Sequence, residues 1–257
     1  MDDDTLIKKY GSIIKDLIEN PQVFQYVIKN PQKILHEKYD SVFENALYGD
    51  IYEISMGKEI RLTSLLDFLI KNNISVKIPK VKIPYKSEVH ICSITPYENE
   101  IYCSLVKAMK AKNIIEIGVF DGKTTTNLAS NISEDAVIYA FNLPPDKCDF
   151  EVGKYIKQDE RAKQIVQMIY ADSNNYDFSK YYGKIDVMFI DGDHRYEAVK
   201  KDSKNAVKCV RKGGLILWHD FNNTHLGTVK AIYEISQKNN LKTFKIEGTN
   251  IAVTINK

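Results

Sequence analysis

The period of the apolar positions changes along the chain. Before residue 90 it is helical: Leu6, Ile7, Tyr10, Ile13, Ile14 and Leu17 mark one amphipathic helix, ended by Asn20-Pro21. Similar stretches follow at Val23–Ile28, Pro31–His36, Ser41–Leu47 and Leu62–Lys71. Residues Val76–Tyr85 alternate but hold two prolines, which reads as an extended connector. From about residue 95 the texture differs. A helix over Tyr97–Lys110 leads into short, nearly continuous apolar runs at Asn113–Val119, Val137–Asn142, Ile165–Asp172, Ile185–Asp191 and Gly214–Asp220. Stretches of helical spacing separate most of them, for example Ala198, Val199, Ala206, Val207 and Val210. Strands apolar on both faces and alternating with helices predict a parallel sheet covered on both sides. The last two runs, Lys242–Glu247 and Ile251–Asn256, flank Gly248-Thr-Asn and predict a β-hairpin. The expected architecture is α/β: a doubly wound, mostly parallel seven-stranded sheet over residues 91–257, closed by an antiparallel hairpin. A mainly helical accessory region, residues 1–90, precedes it.

Composition narrows the function without naming it. The 257 residues carry 36 Lys and Arg against 34 Asp and Glu, a formal net charge of +2. Neither region concentrates the positive charge that phosphate-backbone binding uses, so nucleic acid is excluded as a first expectation. No apolar run approaches the about 18–20 residues that span a bilayer. The start, MDDDTLIKKYG, lacks the basic and then apolar pattern of a secretory signal. Cys92, Cys103, Cys148 and Cys209 show no CxxC spacing, which suggests neither zinc nor a disulfide framework. A soluble, cytoplasmic protein is expected.

Candidate chemistry sits where the predicted strands stop, because open α/β sheets bind ligands at strand carboxyl ends. The first stops at Glu116-Ile-Gly-Val-Phe-Asp-Gly122, followed by Lys123-Thr-Thr-Thr126 opening a helix. Gly118 permits a tight turn and Gly122 lets a ligand approach the backbone. The helix start, including Thr124, offers N–H groups to a carboxylate or phosphate. The same glycines also suit a turn that merely packs tightly. At the second strand end, Asn142 can hydrogen-bond a hydroxyl or serve as a turn residue before Pro144. Asp172, at the third, can flank a ligand or cap a helix. The fourth and fifth read Ile185-Asp-Val-Met-Phe-Ile-Asp191-Gly-Asp193-His194-Arg-Tyr196 and Gly213-Gly-Leu-Ile-Leu-Trp218-His219-Asp220.

These strand ends, in this order, resemble class I S-adenosylmethionine-dependent methyltransferases, particularly the small-molecule O-methyltransferase branch with its IDGDHxY…D…GGxxxxHD signature. The resemblance covers roughly residues 93–257, hairpin included, and implies a Rossmann-like methyltransferase fold. It places Glu116, Gly118, Gly122 and Thr124 in the cofactor loop, Asn142 at the ribose position usually held by an acid, and Asp172 beside adenine. Asp191 looks like the first metal ligand of cation-dependent O-methyltransferases such as catechol O-methyltransferase, and borders the cofactor site. His219 and Asp220 fall where those enzymes have an acid followed by Asp or Asn. His194 stands where catechol O-methyltransferase has its catalytic lysine, and where related macrolide-sugar O-methyltransferases have histidine.

The implied cofactors are S-adenosylmethionine and a divalent cation, Mg²⁺ first among them, and the implied partner is a small molecule with a hydroxyl group. Histidine, with an ordinary pKa of about 6.5, can accept a hydroxyl proton near neutral pH. A cation held by Asp191, Asp193 and Asp220 could act as a Lewis acid, while His219 as a ligand would shift preference towards Mn²⁺ or Fe²⁺. Asp193 serves equally as a cap for the helix near Arg195, and His219 as a hydrogen-bonding residue behind the ligands. Asp202 reads as structural, Trp218 as core, and His36, His90 and His225 have no partner pattern. Two other functions share parts of this pattern: a metal-dependent enzyme resembling cephalosporin hydroxylase-like proteins, and a non-catalytic cofactor-binding scaffold. Residues 1–90 would supply a lid over the acceptor, a dimer surface, or both.

Overall fold

The computed structural model describes Tyr48 and residues 50–58, 60–86 and 94–257. The helices expected at Leu6–Leu17, Val23–Ile28, Pro31–His36 and Ser41–Leu47 lie outside the described residues, as do His90 and Cys92.

In chain order the strands are β1 (Arg61–Thr63), β2 (Asn113–Ile117), β3 (Val137–Asn142), β4 (Val166–Tyr170), β5 (Ile185–Ile190), β6 (Val210–Trp218), β7 (Thr243–Ile246) and β8 (Ala252–Ile255). They form one sheet in the order β1-β7-β8-β6-β5-β2-β3-β4. Strands β2 to β6 pair in parallel, and β8 runs antiparallel between β6 and β7. The doubly wound sheet with its closing hairpin is therefore present. The strand count is eight and not seven. The eighth, β1, comes from the region before residue 90 and pairs in parallel with β7, Arg61 opposite Phe244 and Thr63 opposite Ile246. A three-residue edge strand is too short for its alternation to stand out from the helical pattern that follows it.

The helices are α1 (Ile51–Lys58), α2 (Leu65–Lys71), α3 (Pro96–Ala108), α4 (Lys123–Ala129), α5 (Lys154–Gln158), α6 (Glu160–Ile165), α7 (Tyr196–Cys209) and α8 (Leu226–Lys238). Each sheet face buries its own cluster. On one, Phe68 and Leu69 of α2 and Tyr102, Leu105 and Val106 of α3 pack on Ile114, Phe189, Leu217 and Val253. On the other, Val199 and Ala206 of α7 and Val229 and Ile232 of α8 pack on Ile115, Met188, Ile216 and Trp218. The topological switch lies at β2, which has β3 on one side and β5 on the other. Ligands of such sheets bind above that point.

The connector expected at residues 76–85 runs without regular structure and is strapped to α4 by two asparagines. Asn127 accepts from the Tyr85 N–H (2.9 Å) and donates to its carbonyl (2.8 Å). Asn131, one turn later, does the same for Lys82 (2.8 and 2.7 Å). Each side-chain amide completes a backbone donor and acceptor that β-pairing would otherwise satisfy. Asn127→Ala and Asn131→Ala should each cost about 1–3 kcal/mol of unfolding free energy, the penalty for stranding such groups. Hydrogen exchange of the Lys82 and Tyr85 amides should accelerate in the matching variant. Unchanged exchange would show that the strap does not hold the connector.

Candidate functional site

Three strand ends are stitched side by side beyond their ladders. Gly118 N–H donates to the Phe141 carbonyl (2.9 Å), Asp191 N–H to Ile117 (2.8 Å) and His219 N–H to Ile190 (3.0 Å). Gly118 has φ +91°, and a Cβ there would stand 1.9 Å from the Asp191 carbonyl oxygen, so only glycine lets β2 and β5 close at this level. The loop that follows holds Phe120 at φ +51° and ends at Gly122, which precedes α4 at φ +87°. Thr124 lies in the first turn of that helix.

Asn142 fixes this loop: its side-chain oxygen accepts from the N–H groups of Val119 (3.1 Å) and Phe120 (3.2 Å), and its amide donates to the Leu143 carbonyl (3.0 Å). The position expected at a ribose thus carries a clamp on the β2–α4 loop. Asp172 takes the capping alternative, accepting from Asn174 N–H (2.9 Å) and the Asn175 amide (2.6 Å). Glu116 is fully buried, and neither of its oxygens has a hydrogen-bond partner, nor has the buried Thr125 hydroxyl. Burial pushes its carboxyl up to about 8; neighbouring Asp191 adds to this and the Thr125 hydroxyl opposes it.

Beside the loop stands a cluster of carboxylates and imidazoles. His219 Nδ1 lies 3.1 Å from Asp191 Oδ1 and 3.3 Å from Asp220 Oδ2, and its Nε2 lies 3.4 Å from Glu98 Oε2. Burial opposes charge on this ring, but Asp191, Asp220 and Glu98 together lift its pKa well above the imidazole range. His194 Nε2 lies 2.8 Å from Asp220 Oδ2 with its side chain 47 % exposed. Its pKa is raised too, because Asp220 outweighs desolvation. Burial works against ionising Asp220, yet His194 and His219 hold its carboxyl well below the usual range. Asp220 itself sits at φ +57°, a conformation that costs an L-residue energy and turns its carboxylate towards both rings.

Asp193 stands apart. It accepts from the Arg195 N–H (2.9 Å) and pairs with the Arg195 guanidinium; the helix itself starts with Arg195 as N-cap and no side-chain cap, so the expected capping role is not taken up either. Among the described residues, two sets bring three candidate ligand atoms within 4.8 Å of one another: Asp191, His219, Asp220, and His194, Asp220, His225. Asp193 is in neither.

Residues 115–221 match the sequence profile of a family described as a methyltransferase domain. Over these residues the chain is similar to methyltransferase domains. Caffeoyl-CoA O-methyltransferase 3 of Nicotiana tabacum is 23% identical over 189 residues, which cover 67% of this chain and 74% of the tobacco enzyme. Caffeoyl-CoA O-methyltransferase 2 of Petunia hybrida is equally similar, with the same coverage. Among solved structures, the Bacillus cereus O-methyltransferase in complex with S-adenosylhomocysteine superposes with a TM-score of 0.51 at 17% identity, covering 82% of this chain and 99% of that one. The O-methyltransferase TomG of Streptomyces achromogenes, in complex with S-adenosylmethionine, gives 0.53 at 10% identity over 83% and 99%.

The feature that fits S-adenosylmethionine is the pair of buried groups without hydrogen-bond partners, Glu116 and Thr125; Gly118 and Gly122 serve packing, against the Asp191 carbonyl and the Ile156 side chain. For a cation, the set Asp191, His219, Asp220 offers two carboxylates and one imidazole, a mixture that suits Mn²⁺ or Fe²⁺ better than the all-oxygen preference of Mg²⁺. Two site residues escaped the sequence. Glu98, buried on α3, accepts from Thr95 N–H and Oγ1 and from Asn250 N–H, and its pKa falls to about 2, the pull of His219 and these donors outweighing burial. Its signal was present as the Thr95-x-x-Glu98 capping box. His225, just before α8, packs edge-on against His194 at 4.9 Å and had no signal.

The raised Glu116 pKa predicts a pH effect. Folding takes up a proton between the ordinary carboxyl value of 4.5 and about 8. The ligand-free protein should therefore lose stability as pH rises through that window, completely by its upper end. Glu116→Gln should flatten the slope, read as Tm against pH; an unchanged slope would contradict the assignment.

Proposed function

We propose that this enzyme transfers the methyl group of S-adenosylmethionine to a hydroxyl of a small molecule, a sugar or natural product, with His194 as general base and a divalent cation assisting. The observation that carries the reading is the placement of His194. It is half exposed at the carboxyl end of β5, next to the cofactor loop, and its Nε2 is fixed on Asp220 at 2.8 Å. Nε2 donating to Asp220 leaves Nδ1 as the acceptor for a proton. When bound, S-adenosylmethionine supplies an electrophilic methyl carbon, and in-line displacement depends on aligning the acceptor oxygen with it. Asp220 orients the His194 ring and stabilises the imidazolium formed when the hydroxyl is deprotonated. Asp191, His219 and Asp220 would hold the cation, whose contribution is to lower the hydroxyl pKa as a Lewis acid. The tobacco and petunia relatives are named for caffeoyl-CoA, which supports an organic small-molecule acceptor.

The region before residue 90 bears on the acceptor side. Tyr52 of α1 meets Phe221, next to Asp220, at 5.6 Å, and Tyr48 meets Tyr196 at 5.6 Å. This supports a role for residues 1–90 as a lid over the acceptor, a dimer surface, or both. No helix among the described residues is long and apolar enough to cross a membrane. We place the reaction in the cytoplasm, with neither nucleic acid nor membrane as partner.

The test is transfer of labelled methyl to a panel of hydroxylated sugars and natural products. His194→Ala should lower kcat by about 10²–10⁴, the usual contribution of a general base, with S-adenosylhomocysteine affinity unchanged. Full turnover by that variant would sink the base assignment while leaving the enzyme class standing.

A further inference from the structure

Asp220 belongs to two clusters, one with Asp191 and His219 and one with His194 and His225. Its Oδ2 meets His194 and His219, while its Oδ1 points towards His225 Nδ1 at 3.8 Å. The His194 and His225 rings meet edge-to-face with centroids 4.9 Å apart. One ligand atom from each of His194, Asp220 and His225 lies within 4.8 Å of the other two. A first-row ion with bonds of about 2.0–2.2 Å separates its ligand atoms by roughly 3–4 Å, so closing this set around one takes small ring movements and, at His225 Nδ1, release of its contacts with Asn222 Oδ1 (3.1 Å) and Thr224 Oγ1 (3.2 Å).

The backbone behind the three side chains is fixed. The Thr228 hydroxyl of α8 donates to the His194 carbonyl (3.1 Å), tying the β5–α7 loop to the helix that His225 precedes. Asn222 accepts from the His225 N–H (3.1 Å) and donates its own N–H to the Asp220 carbonyl (2.9 Å). The His194 and His225 side chains are 47% and 30% exposed, against 9% for His219, so an ion can reach them from solvent. Two imidazoles with one carboxylate select borderline ions such as Zn²⁺, Co²⁺ or Fe²⁺, and discriminate against Mg²⁺, which prefers oxygen.

We propose that His194, Asp220 and His225 form a binding site for a borderline divalent cation, Zn²⁺ or a close analogue, which shares Asp220 with the Asp191–His219 corner. Neutral imidazole bound to a metal through one nitrogen carries its proton on the other. An ion on His194 Nε2 therefore puts a proton on Nδ1 and removes its capacity to accept one from a hydroxyl. This inhibitory consequence rests on the general-base reading of His194; the binding site does not.

The experiment titrates Co²⁺ into the whole protein with Mg²⁺ in large excess, reading visible absorption bands and calorimetric heats, and then displaces Co²⁺ with Zn²⁺. Saturable one-to-one binding is expected. It should weaken by at least about 100-fold in His225→Asn, which keeps a capping side chain, and in His194→Ala, since even residues behind a ligand are worth 10–100-fold. Zn²⁺ should also protect His194 from carbethoxylation, mapped by mass spectrometry. S-adenosylhomocysteine affinity, measured on the same variants, reports their folding and tests the cofactor reading independently. The proposal fails if no saturable Co²⁺ binding survives Mg²⁺. It fails equally if binding persists in His225→Asn and is lost in His219→Asn, which would place the ion in the other corner.

Discussion

The site depends on how closely the carboxyl ends of β2, β5 and β6 approach one another. Single hydrogen bonds carry each ladder one residue past its strand, from Gly118 to β3, Asp191 to β2 and His219 to β5. This is possible because Gly118 has no side chain where the Asp191 carbonyl passes. The approach sets the β2–α4 loop, the Asp191 carboxylate and the buried His219 in register by backbone geometry alone. Side chains placed this way cost little further order, because the sheet has already fixed their main chain.

Charge balance is the second constraint. Asp191, Asp220 and Glu98 surround His219 in a pocket where lone ions would be costly. The imidazole between them lowers that cost, and each carboxylate raises the ring's affinity for its proton. Glu98 also couples the cluster to the fold: the carboxylate that faces His219 caps α3 and accepts from Asn250 in the β7–β8 turn. Helix, hairpin and site therefore share one side chain. The buried Glu116 works in the opposite sense, without partners, and stores instability that a polar ligand could relieve.

Most of the sheet was legible because its strands are buried on both faces and read as short apolar runs; Val137–Asn142 is a strand with the expected ends. β1 was missed because three residues carry no period, and its partner β7 lies about 180 residues away in sequence. Motif spacing pointed to Gly118, Asp191, His194, His219 and Asp220, and the fold places each within four residues of a strand's carboxyl end. Spacing could not settle side chains with two capable uses. Asp193 went to Arg195 and Asp172 to a cap, both local partners within three residues. Asn142 serves the loop, a contact across about 22 residues that spacing does not reveal. Glu98 and His225 lie on elements brought in by the fold, so no local pattern announced them as members of the cluster.

We propose that the β2–α4 turn, with Glu116 and Gly118 behind it, is the cofactor site. A calorimetric titration with S-adenosylhomocysteine on the wild-type protein and on Gly118→Val tests it most directly, with near-ultraviolet circular dichroism to confirm that both are folded. One-to-one binding is expected of the wild type and loss of binding of the variant, whose side chain would push β2 from β5. Absence of binding by the folded wild type, with and without added Mg²⁺ or Mn²⁺, would contradict it.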